Sequence, residues 1–156
     1  MKILVFCEHT DGKVKKSSLE LMGAASGSNL VAVLLGAGAK SVAASLGSYG
    51  AKKVYSSETS AFTNYNSEVF ASALSEVLKK ETPDLVLASG SSLARDLFPR
   101  VAARLDASFV ADCSELSIQG ESLNIAKPLY SGKCSAKVNF VSAGMKIVLM
   151  RPNQLP

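Results

Sequence analysis

Five short apolar runs, each separated from the next by a helical pattern, constrain this 156-residue chain more than any other feature. They are residues 2–6 (KILVF), 30–35 (LVAVLL), 53–56 (KVYS), 84–88 (DLVLA) and 108–111 (SFVA). The strongest of them lack the polar alternation of a strand with one wet face. A strand apolar on both sides must be covered on both sides, which is the signature of a parallel sheet sandwiched by helices.

The intervening segments carry helical signals. Ser17 and Ser18 offer a cap, Glu20 falls in the following turn and Gly27 ends the pattern. Residues 41–49 place Val42, Leu46 and Tyr49 on one face, with Gly50 as terminator. Asn66 or Ser67 caps the clearest helix, whose stripe is Val69, Phe70, Ala73, Leu74, Val77 and Leu78. Lys79 and Lys80 suit its negative end, and Thr82-Pro83 stops it. Leu93, Leu97, Val101 and Leu105 recur four apart, while Pro99 lacks the donor for the Arg95 carbonyl and predicts a kink or a split. Strand–helix–strand repetition predicts right-handed crossovers and a doubly wound, three-layer, mostly parallel sheet. Beyond Asp106 the texture becomes strand after strand: residues 115–118, 123–128, 136–141 and 146–150. Their turn signals are Gln119-Gly120, Ser131-Gly132 and Ala143-Gly144. This predicts an antiparallel extension at the C-terminal end of the sheet. Residues 151–156 (RPNQLP) form no regular element and read as the start of a linker, leaving residues 1–150 as one α/β domain.

Hydrophobic residues make up 47% and charged residues 19%, the balance of a chain that buries a core. No stretch approaches the roughly 20 apolar residues of a membrane helix, and the N-terminus lacks a signal-peptide pattern, so the expectation is a cytoplasmic protein without membrane insertion. Cys7, Cys113 and Cys134 are widely spaced and His9 is the sole histidine, which supports neither a zinc site nor a disulfide framework. The formal charge of +4 comes from scattered lysines and arginines, not from a basic block; it suits acidic protein partners better than nucleic acid.

Ser89, Gly90, Ser91 and Ser92, between a strand and a helix, form the anion-loop candidate, because such a loop aims backbone N–H groups at the carboxyl end of a sheet. Glycine and serine are also ordinary turn and cap residues, and the lysine of a phosphate loop is missing. Cys7, Glu8 and His9 invite a nucleophile reading, yet neighbours on an extended chain point to opposite sides. Arg95, Asp96, Arg100 and Arg104 decorate one helix, as a solvated face with an Asp96–Arg100 pair or as a contact for a partner. Gly36-Ala37-Gly38 leads to Ser41 where a dinucleotide fingerprint needs its third glycine.

Three segments together resemble the N-terminal domain of electron transfer flavoprotein alpha subunits. They are SGSSLARDLFPRVAARLD (89–106) followed by VADC (110–113), KPLYSGK (127–133) and RPNQLP (151–156). The resemblance implies an adenine-nucleotide-hydrolase-like fold serving as a scaffold and electron-carrier subunit, with no catalytic residue and no activity of its own. It implies pairing with a beta subunit, and electrons passing from acyl-CoA-type dehydrogenases of fatty acid β-oxidation to a quinone oxidoreductase. The cofactor would be FAD, held by a C-terminal domain reached through residues 151–156 and absent from this chain; AMP would belong to the beta subunit. The competing expectation is a free-standing nucleotide-binding domain of universal-stress type using the loop at Ser89–Ser92.

Overall fold

In a computed structural model describing residues 1–156, a six-stranded parallel sheet is flanked by helices on both faces. Its strands are β1 (Lys2–Phe6), β4 (Asn29–Leu35), β5 (Lys53–Ser57), β6 (Leu85–Ser89), β7 (Ser108–Cys113) and β11 (Lys146–Met150), in the order β5-β4-β1-β6-β11-β7. A two-residue pair, β2 (His9–Thr10) and β3 (Lys13–Val14), closes the loop after β1 around Asp11-Gly12. Helices α1 (Lys16–Ala24), α2 (Ala39–Ala43), α3 (Ser67–Glu81) and α4 (Ser92–Leu105) make the crossovers.

Period-two alternation assigns each strand side chain to one of two cores. Ile3, Val5, Leu85, Leu87 and Val148 face α1 and α2, packing with Leu21, Met22 and Val42. Leu4, Phe6, Val86, Ala88, Ile147 and Leu149 face α3 and α4, against Phe70, Leu74, Leu97 and Phe98. Phe98 meets Phe6 edge to face at 5.6 Å. Burial on both sides explains the unbroken apolar runs, and each fully buried Leu, Ile, Val or Phe contributes roughly 1.5–3 kcal/mol.

The antiparallel part is a separate three-stranded sheet, β10-β9-β8, made of β8 (Glu115–Gln119), β9 (Ser122–Leu129) and β10 (Cys134–Val138). The fourth segment of the expected extension behaves differently. Residues 146–150 enter the main sheet as β11, parallel to β6 and β7 and inserted between them. Its four buried residues, Ile147 to Met150, need cover on both faces, which an outer antiparallel sheet does not supply.

Local details depart from the sequence reading in three further places. Lys15, not a serine, precedes α1, without a side-chain cap. Ser18 is buried and accepts the Glu8 N–H at 3.0 Å, so it serves the end of β1 instead. The segment after Gly38 is α2 followed by a 3-10 turn over residues 44–49, ended by Gly50 at φ 90°. Helix α4 runs through Pro99 without splitting; Arg95 and Pro99 are both exposed, and the donor that proline lacks costs least where the freed carbonyl faces solvent. Asn66 caps α3 as expected, its Oδ1 accepting the N–H groups of Glu68 and Val69 at 3.1 Å. No helix is long and apolar enough to cross a membrane.

Candidate functional site

The strand order reverses between β1 and β6, whose carboxyl ends carry Cys7-Glu8-His9 and Ser89-Gly90-Ser91-Ser92. This is the crevice where open α/β sheets hold ligands. The fold therefore brings two of the sequence candidates together.

Their contacts are internal. The Gly90 N–H donates to the Met150 carbonyl at 2.7 Å and the Ser91 N–H to the Ser89 carbonyl at 2.8 Å. Ser91 Oγ accepts the Ala94 N–H at 3.1 Å, capping α4, and donates to Glu8 Oε1. The second Glu8 oxygen takes Lys15 Nζ at 2.7 Å. A carboxylate of the chain itself thus lies at the positive end of α4, where a phosphate loop would hold its guest.

Cys7 and His9 are not a catalytic pair. The Cys7 side chain turns into the core beside Met22, and burial pushes its thiol up to about 12. The His9 ring turns to the β4 side, Nε2 lying 3.1 Å from the Leu35 carbonyl. The same ring helps close the Gly36-Ala37-Gly38 turn. A Cβ at Gly36 would sit 3.3 Å from the Phe62 carbonyl and 3.8 Å from His9 Nε2. With Gly36 already under chain atoms and α2 only five residues long, this turn does not fit a dinucleotide pyrophosphate.

The arginines of α4 divide. Arg104 Nη2 meets Glu68 of α3 at 2.5 Å, and Arg100 reaches Glu68 at 3.7 Å and Asp96 at 3.4 Å. Asp96 also accepts the Tyr65 hydroxyl at 2.7 Å. These side chains knit α4 to α3 and to the loop before it. Arg95 points elsewhere, into a cleft at the carboxyl ends of β6, β11 and β7 shared with Asp112, Arg151 and Gln154. Asp112 has a left-handed φ of 65° at a register shift between β7 and β11, and its carboxylate grips Arg151 through Nε at 2.5 Å and Nη2 at 2.9 Å. Hydrogen bonding from Arg151, with further attraction from Lys127 and Arg95, holds the Asp112 carboxyl below the usual carboxylate range. Sequence reading passed over this cleft, because the bulge that aims Asp112 has no composition cue.

The second exposed feature is the β9–β10 hairpin. Its tip carries Tyr130 and Ser131 at left-handed φ of 51° and 55°, then Gly132 at 83°. Tyr130 is 78% exposed, Leu129 at its side is also exposed, and Val141 just past β10 is fully exposed. Strand β10 pairs only with β9 and leaves its other edge open. Residues 139–141, expected to continue this strand, lie outside it.

Six parallel strands between two helical layers, a crevice filled by Glu8 and a small antiparallel sheet define a doubly wound α/β domain. Residues 3–156 match the electron transfer flavoprotein domain family, and the chain belongs to that family. It is 28% identical to electron transfer flavoprotein subunit alpha of Bacillus subtilis, over 99% of this chain and 48% of that protein. It is 31% identical to the alpha subunit of Thermoanaerobacterium thermosaccharolyticum, over 96% of this chain and 48% of the relative. Acryloyl-CoA reductase electron transfer subunit beta of Anaerotignum propionicum is 37% identical over 74% of this chain and 33% of its own length. The chain spans about half the length of the alpha-subunit relatives it matches. Members of this family are electron-transport proteins associated with flavin, and the relatives named are carriers of electrons.

Proposed function

We propose that this chain is the docking half of an electron transfer flavoprotein alpha subunit, redox-silent alone, which pairs with a beta subunit in the cytoplasm and supports FAD held elsewhere in the complex. The observation that carries this reading is the β9–β10 arm: a large aromatic side chain in a strained backbone conformation, displayed beside an open strand edge. A left-handed non-glycine residue costs about 1–2 kcal/mol, and such strain collects where function holds it. An unpaired edge with apolar neighbours invites strand addition by another chain. In the assembled protein, electrons would enter from acyl-CoA-type dehydrogenases and leave to a quinone oxidoreductase, with any AMP held by the beta subunit. Residues 151–156 then act as the first part of the path to the flavin domain.

Two internal contacts favour this reading over a free-standing nucleotide-binding domain. Glu8 stands where a phosphate would, and His9 with Phe62 covers the Gly36 turn. Co-expression with a beta-type subunit followed by size exclusion and visible absorbance tests the proposal. The expected result is a one-to-one complex, and a colourless protein when the chain is purified alone. Failure to form the complex, or a stoichiometric flavin spectrum from the chain alone, contradicts it.

A further inference from the structure

Of the four arginines, Arg100 and Arg104 are paired with Glu68 and Arg151 with Asp112, whereas Arg95 meets no carboxylate within 4.0 Å. Its guanidinium lies close over the backbone of Gly90, where an added Cβ would approach Arg95 Nε to 3.8 Å and the Met150 carbonyl to 3.3 Å. The side chain is exposed to a cleft of about 670 Å3, the size of ordinary small-molecule sites.

Charge decides what such a cleft attracts. Arg95 and Arg151 line it with a single carboxylate, Asp112, which is already engaged by Arg151. Lys127 on β9 is close enough to act on Asp112 as well. Two cations line the cleft against one anion, a surplus of one positive charge carried by the unpaired Arg95, and Lys127 adds to the positive potential from outside the lining. A phosphate monoester offers two or three oxygens to the planar fork of the unpaired Arg95, and its second negative charge is met by Lys127 beyond the lining.

We propose that the Arg95–Arg151 cleft is a binding site for a phosphate monoester on a small molecule, held through the Arg95 fork. It lies on the β11 side of the Ser89–Ser92 loop, away from the Glu8-filled crevice on the β1 side. It does not depend on the docking role of the hairpin.

The test is an NMR titration of the isotopically labelled chain with inorganic phosphate, phenyl phosphate and a short glutamate-rich peptide. Phenyl phosphate should shift the Gly90 amide and the Arg95 Nε–H saturably. Its affinity should rise severalfold across its second ionisation near pH 6. Arg95→Gln should weaken it at least tenfold while leaving the remaining amide spectrum in place, since Arg95 is exposed and unpaired. Asp112→Asn, which keeps a side chain tolerant of the left-handed backbone, should tighten it severalfold. Binding unchanged in Arg95→Gln, a response to the peptide alone, or no saturable shift at Gly90 with either phosphate would overturn the proposal.

Discussion

The parallel sheet and the antiparallel arm follow opposite burial rules within one chain. All five residues of β6 are buried, while β8 alternates between exposed and half-buried positions and β10 is mostly exposed. The first pattern makes a rigid base whose strands contact only the chain itself. The second leaves an edge and an apolar tip with no partner inside the chain. Stability is concentrated in the parallel sheet, and the proposed recognition falls to the arm.

The largest expected effect is in the sheet. Leu87→Ala, at the centre of β6 between β1 and β11, should cost about 2–5 kcal/mol in urea denaturation, because the surrounding layers leave little room for collapse. A loss below about 1 kcal/mol would break the comparison.

Next comes the amino-edge anchor of the sheet. Buried Glu81, at the end of α3, takes Lys2 Nζ and Lys53 Nζ, each at 2.6 Å, and the Tyr55 hydroxyl at 2.5 Å. Hydrogen bonds from Lys2, then Lys53 and Tyr55, lower its carboxyl to about 2 from an ordinary 4.5. The native state therefore binds a proton less readily than the unfolded chain. Its contribution is complete above about pH 4.5 and fades as the pH falls towards 2. Glu81→Gln should lower stability at neutral pH by about 1–3 kcal/mol and flatten the acid limb of a stability–pH curve. An unchanged acid limb would remove Glu81 from the account.

Asn66→Ala deletes the cap of α3 and should cost about 1 kcal/mol by thermal unfolding. The smallest stability effect falls on the arm. Tyr130→Gly removes a left-handed side chain and should leave stability unchanged or raise it by up to about 1 kcal/mol, while weakening capture of a beta-type subunit in a pull-down. A destabilised Tyr130→Gly protein would place the tip in the core's service instead.

These two regions also differ in how legible they were. The runs at residues 2–6, 30–35 and 84–88 announced buried strands, and Asn66 announced its helix, because local chemistry and tertiary placement agree there. Residues 146–150 misled, since an apolar run states that it is covered but not by which strand it is joined. Ser18 read as a cap and instead supports Glu8, a contact set by the loop between β1 and α1. At the crevice, the sequence located Glu8 and Ser91 without showing that they meet across 83 positions. The cleft of Arg95 was hidden for the same reason: Asp112 and Arg151 are 39 residues apart and a bulge aims one at the other.

The docking role is tested most directly by hydrogen exchange on the chain with and without a beta-type subunit. Amides of residues 129–141 should gain protection in the complex, while those of β1, β4 and β6 stay as slow as before. Protection confined to the helical faces, with the hairpin exchanging unchanged, would contradict the claim that the antiparallel arm is what this scaffold presents to its partner.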